Sequence, residues 1–429
     1  MPAVKPQHFF FIPLLSVFTF VFVGMDNHKL LPYIYIASIL ACLLFERKLR
    51  PQWNTSATII LVVICIFLSI KQIHDFSSSS IRIIISTFIL LLFFPRNILN
   101  RTSLSVLILL SAVFSLSYLT YQHHILGLVR GWSVNPIIHS TFTASLLAIA
   151  FYFSLSSKGK IARVNFASSI ILAYCINLSA TRSSLLCFLI SGIFIGYQLF
   201  RHQSVSLKKT SLYYILITLI ISANSMFIDR ITNTMSITKK TEEAIVIEHR
   251  PNHTISNSSP HKTSNSLSDV VQFGVNTNYR IQAWLASINI IKNSFPLGTG
   301  KNITPLLEKN LTSPSSILST VPFHHFHNQI INSLAFNGVL GLAFVLILLT
   351  YPIFCHIKYK NEASIIFAAT SIVYIVASIT DIPLGNKPTL CFYLTMFIIY
   401  QHYDPTHSNI GNKLAINNNS EHLDHASHI

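Results

Sequence analysis

Charge is what this chain has least of. Only 10% of its 429 residues are Asp, Glu, Lys or Arg, where a soluble domain carries roughly a quarter. That shortage excludes an ordinary water-facing surface. Acids are the scarcer sign, 14 against 30 Lys and Arg. In the long polar stretch between Arg230 and Gln329 they are scattered (Glu242, Glu243, Glu248, Asp269, Glu308), so no acidic pair is placed to hold Mg²⁺. A Walker glycine loop and a GxSxG turn are also missing, which removes the usual nucleotide-phosphate cradle and the hydrolase nucleophile elbow. There are six Cys (Cys42, Cys65, Cys175, Cys187, Cys355 and Cys391), all within or at the edges of apolar runs. They form neither a disulfide framework nor a thiolate metal set.

What fills the chain is apolar sequence, 51% of all residues. Twelve runs recur, at residues 9–24, 30–45, 57–70, 81–94, 103–119, 136–155, 163–178, 183–199, 211–228, 331–356, 363–380 and 388–401. Several approach the roughly 20 residues that a helix needs to cross a bilayer. Within lipid the backbone must satisfy its own hydrogen bonds, so such segments are helices or a closed barrel. The runs are continuous and do not alternate, which excludes the barrel. The expected fold is therefore all-α: a polytopic membrane protein of about twelve spans with one large loop. No trusted cleavage site follows the first run, so it is read as a retained span.

The net charge of +16 suggests nucleic acid until its distribution is considered. Basic residues cluster in alternate connections: Arg47, Lys48 and Arg50; Arg96 and Arg101; Lys158, Lys160 and Arg163; Arg201, Lys208 and Lys209; Lys358 and Lys360. This is the bias of cytoplasmic loops. It predicts both termini inside and the long loop outside. The expected organisation is spans one to nine over residues 1–228, the outer loop over 229–330, three further spans over 331–403, and an unstructured cytoplasmic tail over 404–429.

Within the loop, residues 251–278 are rich in Ser, Asn, Thr and His and carry no packing pattern. An amphipathic helix is predicted over Tyr279–Asn293, with Ile281, Trp284, Leu285, Ile288 and Ile291 at helical spacing. The run Phe295-Pro296-Leu297-Gly298-Thr299-Gly300 ends it. A short helix is expected near Leu306–Glu308.

Candidate chemistry lies at the outer rim. Arg182 sits in a short turn between two apolar runs. It is either a snorkelling interface anchor or an anion clamp, since guanidinium matches phosphate bidentately. Arg280 opens the loop helix, and Arg130 is another outer cation. Lys387 follows Asp381 in the last outer turn and is placed to pair with it. His327 precedes a span, and histidine is the commonest general base near neutrality. His324 and His325 read as polar rim residues, because no carboxylate or Cys nearby in sequence completes a metal ligand set. His123 and His124 read the same way.

Taken together, TRS at 181–183, YRIQAWLASINIIKNSFPLG at 279–298 and HNQIINSLAFNGVLG at 327–341, within twelve spans and a large outer loop, resemble the O-antigen ligase family and its O-antigen polymerase relatives. The resemblance implies a GT-C-like glycosyltransferase of the bacterial inner membrane. It would move O-polysaccharide from undecaprenyl diphosphate to lipid A-core at the periplasmic face. It maps catalytic roles onto Arg182, Arg280 and His327, and substrate-binding roles onto Arg130, Trp284, Asn328 and Lys387. Asp381 lies where some ligases carry an Asp. It implies no cofactor, no metal and no nucleic acid. A transporter would place ionisable residues along the span interiors, and here those interiors are almost free of them. The polymerase, using the same donor, stays open as the alternative.

Overall fold

The computed structural model describes residues 6–19, 27–45, 50–73, 78–95, 98–127, 136–202, 205–223, 280, 283–300 and 325–404. The expectations for Arg130, His324, the 251–278 stretch, the 306–308 helix and the tail beyond 404 lie outside these residues. Among the described residues no strand forms. One isolated bridge pairs Leu99 with Tyr403.

The described part of each apolar run lies on a helix. In chain order these are α1 (Phe11–Thr19), α2 (Leu31–Phe45), α3 (Thr55–Ile73), α4 (Ser78–Phe93), α5 (Arg101–Thr120) and α6 (Pro136–Ser156). They continue as α7 (Gly159–Ser179), α8 (Arg182–Arg201), α9 (Leu207–Ser222), α10 (Gln329–Tyr359), α11 (Glu362–Thr380) and α12 (Lys387–His402). Eight helical segments among the described residues are long and apolar enough to cross a bilayer. The chain is a multi-pass membrane protein. α1, α4, α9 and α12 are shorter, at 9, 16, 16 and 16 residues.

The bundle is organised around α6. Every residue from His139 to Leu155 on it is buried, and it packs on α5, α7, α8, α11 and α12. Small residues on its surface (Ala144, Ser145, Ala148, Ala150) let neighbouring backbones approach closely, which is how helices associate in lipid. Its hydroxyls return to the helix itself: Thr141, Thr143 and Ser145 donate to the carbonyls four residues back, each at 2.9 Å. The outer helices show the opposite pattern. Leu212 on α9 and Ile193 on α8 are 69% and 64% exposed, a surface that suits lipid and not water.

Two charged clusters mark the two ends of α11. At its start, Glu362 receives the Arg101 guanidinium on both carboxylate oxygens, and Tyr403 donates its hydroxyl to the same carboxylate. Arg101 also donates to the Ser156 carbonyl at 3.3 Å. The ends of α5, α6, α11 and α12 are thus tied together. Asp381 caps the other end of α11.

The long helix α10 is broken where the loop meets it. Gly338 sits inside it at φ 60°, ψ −151°, a conformation open to glycine and strained for other residues. The break leaves backbone groups without helical partners. Residues 295–300 supply them: the Pro296 carbonyl accepts from Val339 N–H, Thr299 N–H donates to the Ala335 carbonyl and Gly300 N–H to the Phe336 carbonyl, each at 2.9 Å. A side chain on Gly338 would collide with the Pro296 carbonyl. The two stretches that carry the family resemblance therefore form one interlocked unit.

Candidate active site

The site is assembled where α10 begins and α11 ends, from segments remote in sequence. Asn328 is the N-cap of α10. Its side-chain oxygen accepts from Ile330 and Ile331 N–H at 3.0 Å each, answering donors that a helix start leaves open. Its amide donates to the Ile379 carbonyl of α11 at 3.4 Å. Gln329 adds a second brace: its side-chain oxygen accepts from Leu384 N–H at 2.9 Å and Gly385 N–H at 3.2 Å. The α11–α12 turn that carries Asp381 is thereby held against the start of α10.

The histidine segment is pinned from the loop side. Residues 283–294 are helical, and Arg280 is helical before them, close to the predicted range. The face turned toward α10 is Ala283, Ala286 and Ile290, which pack with Phe326 and Ala335. The larger residues of the predicted stripe behave differently. Leu285 and Ile288 are exposed, because the small residues permit a closer approach to α10. Trp284 is half-buried, and its indole N–H donates to the Phe326 carbonyl at 2.8 Å. Trp284 thus fixes the residue next to His327, and Asn328 fixes the one after it. Of the residues that the resemblance assigned to substrate, Trp284 and Asn328 are engaged within the protein.

Held in this way, His327 adopts φ 49°, a left-handed backbone that a non-glycine residue takes up at a cost. Its N–H donates to His325 Nδ1 at 3.3 Å, and the two rings meet edge to face with centroids 4.1 Å apart. His327 Nδ1 lies 3.9 Å from Asp381 Oδ1. Asp381 is buried. No ion pair joins it to Lys387 among the described residues, so the sequence expectation of that pair gives way to a His–Asp pair. Lys387 itself is half-buried at the first position of α12.

Electrostatics connect Arg280 to this pair. Burial, then His325 and then Arg280 push the His327 imidazole down from 6.5 to about 3. Burial raises Asp381 above its ordinary value, and His325 and Arg280 partly oppose that rise. One cation therefore acts on both groups.

Arg182 opens α8 after a left-handed Ala180 at φ 48°. A hydroxyl chain runs from Ser179 through Thr181 to Ser184, at 2.9 and 3.0 Å, and shapes the turn. Which end of the bundle it occupies follows from helix contacts. Cys187 donates to the Val373 carbonyl of α11 at 3.4 Å, and Phe194 packs on His356 near the far end of α10. As α8 descends, α11 is met at progressively earlier residues, since His356 is beside Ser364. The helices are antiparallel, so Arg182 stands at the same end as Asp381 and His327.

Residues 167–346 match the model of a family described as O-antigen ligase. Over this stretch the chain is similar to the O-antigen ligase family. The matched region starts in α7 and ends in α10, and it contains Arg182, Arg280 and His327. No curated protein matches the chain. Asp381 and Lys387 lie beyond the O-antigen ligase match, on elements that only folding brings to it. Sequence reading passed over His325 as a rim residue. The His-x-His spacing was its one signal, and the carboxylate that gives it meaning is more than fifty residues away.

Proposed function

We propose that this chain is an O-antigen ligase of the bacterial inner membrane. It transfers O-polysaccharide from undecaprenyl diphosphate to lipid A-core on the periplasmic side. The observation that carries this reading is the convergence of Arg280, His327 and Asp381 at one rim of a membrane-embedded bundle within a family of this activity class. The twelve helices cross the membrane in alternation, with the basic connections inside and the 229–330 loop outside.

In this mechanism Arg182 and Arg280 face the donor diphosphate. Arg182 is helped by the positive end of α8, which favours an anion. Their charge offsets the negative charge that grows on the diphosphate as the sugar leaves. His327 takes the proton of the acceptor hydroxyl through Nε2. Asp381, facing Nδ1, favours the tautomer in which Nε2 is free to accept. An imidazole held near 3 is a weak base until the donor arrives. The incoming diphosphate then neutralises the field of Arg280, the smallest of the three causes after burial and His325, and restores part of the basicity. Among the described residues the carboxylate at the site, Asp381, is buried and faces His327 Nδ1 rather than the donor sugar, so the acceptor displaces the diphosphate in one step with inversion. The leaving diphosphate supplies the driving force without ATP or metal.

Gene deletion followed by lipopolysaccharide electrophoresis tests the reading. Loss of all capped lipopolysaccharide, with lipid-linked polymer accumulating, is the expected result. A single repeat left on the core would make the protein an O-antigen polymerase. Orientation is tested separately by cysteine labelling at Ser266 and Ser420. An impermeant reagent should reach Ser266 alone, and labelling of Ser420 alone would invert the topology.

A further inference from the structure

The best-formed cluster of potential ligand atoms among the described residues is His325, His327 and Asp381, each offering one atom within 4.8 Å of the others. We propose that these three side chains form a binding site for a divalent transition-metal ion of zinc-like preference, and that the ion inhibits the enzyme. The site goes beyond glycosyl transfer; only its inhibitory consequence rests on the reading above.

The donor set is two imidazoles and one carboxylate. Nitrogen-rich sets of this kind suit zinc and its neighbours rather than Mg²⁺ or Ca²⁺, which want oxygen. Three protein ligands leave a fourth position open for water. The spacing is close to what an ion needs. Ligands on a tetrahedral zinc stand roughly 3.3 Å apart, given bonds of ~2.0–2.1 Å. His327 Nδ1 and Asp381 Oδ1 are at 3.9 Å, which is long for a direct hydrogen bond and short of a bridging ion by a small side-chain rotation. The supports are rigid. Asp381 caps α11 and sits against the Gln329 brace, and the histidine segment is held by Trp284 and Asn328. An outer shell that fixes ligand direction is what a metal site requires.

The inhibitory consequence follows from which nitrogen is used. In the free protein Asp381 faces Nδ1, and a proton there leaves the Nε2 lone pair available as base. An ion on Nδ1 takes that lone pair, and the single imidazole proton moves to Nε2. Nε2 then donates instead of accepting, and the base is lost. The ion's positive charge also disfavours any second proton on the ring.

The experiment is zinc titration of the purified full-length protein in detergent against a chromogenic chelator. Wild type should bind one more Zn²⁺ per chain than either His325→Ala or Asp381→Asn. Each variant should lose more affinity at this site than the roughly 10–100-fold that outer-shell partners carry. The difference measurement removes any contribution from tail histidines such as His422 and His425. Unchanged zinc stoichiometry and affinity in His325→Ala would overturn the site even if Asp381→Asn fails to fold. Transfer from a lipid-linked donor should fall on zinc addition and return with EDTA. Full turnover with the site loaded would overturn the inhibition. Zinc binding at this site in a protein without transferase activity would support the site and overturn only the functional reading.

Discussion

One helix, α11, carries a carboxylate at each end, and the two ends differ in kind. At its start, Glu362 is saturated: a bidentate arginine, a tyrosine hydroxyl and four helix termini meet on it. At its other end, about 28 Å away at 1.5 Å per residue, Asp381 faces an imidazole at 3.9 Å with a second imidazole and a cation nearby. The first arrangement leaves little electrostatic potential unused. The second holds like-charged groups together, depresses a histidine and keeps His327 in a left-handed backbone. Structural ion pairs are complete by themselves, whereas a reactive site stays incomplete until a substrate joins it.

The sharpest way to break this comparison is to remove one partner at each end and ask what fails. His327→Ala should lower turnover by about 10²–10⁴-fold, the range for a lost general base, with the folded amount preserved. A loss below tenfold, measured with a lipid-linked donor, would put the Asp381 cluster in the same structural class as the Glu362 one. Arg182→Lys and Arg280→Lys come next. Each keeps its charge but loses the planar fork, and roughly a 10²-fold fall is expected, expressed more in donor use than in acceptor use. Wild-type donor affinity and turnover in both would reduce these residues to interface anchors.

At the start of α11, Glu362→Gln leaves Arg101 without its counter-charge. We expect about 2 kcal/mol of lost stability, below the ~3–5 kcal/mol of a fully buried pair, because the Arg101 side chain keeps 23% exposure. Thermal unfolding in detergent reads the loss, while activity per folded molecule should hold. A selective activity defect would mean that the Glu362 clasp controls the site at the other end of α11.

The smallest effect concerns pH. With His327 held near 3 instead of 6.5, the imidazole is already neutral at mildly acidic pH. kcat/KM should therefore show no acid limb as pH falls through 6.5. Stability should show the reverse sign. Below 6.5 the unfolded chain binds a proton that the native state refuses until about 3, so the native state weakens as pH falls across that window. His327→Gln should flatten this slope. An acid limb centred on 6.5 would mean an ordinary, unperturbed histidine.

Much of this was legible in the chain. The apolar runs lie on the helices because a bilayer leaves the backbone no alternative. Arg182, Arg280 and His327 stood out because polar groups at the edge of an apolar run are few. The face of the loop helix was legible only in part. Of the predicted stripe, Trp284 and Ile291 pack against the cluster while Leu285 and Ile288 stay exposed; its buried members on this helix are Ala283, Ala286 and Ile290, because closeness of approach favours small side chains over hydrophobic area. The Lys387–Asp381 pair was also misread, since nearness in sequence does not set side-chain direction around a turn.

By itself the sequence determined an all-helical membrane chain, a long polar segment interrupting it and the cations and histidine at the edges of its apolar runs. Hydropathy and helical spacing are local properties, and they act within a single turn or a single span. The tertiary structure decided which carboxylate His327 meets, that His325 joins them, and that the 295–300 segment completes the break at Gly338. Those are encounters between segments tens of residues apart. They depend on how helices stack and on which backbone groups remain unsatisfied once they have.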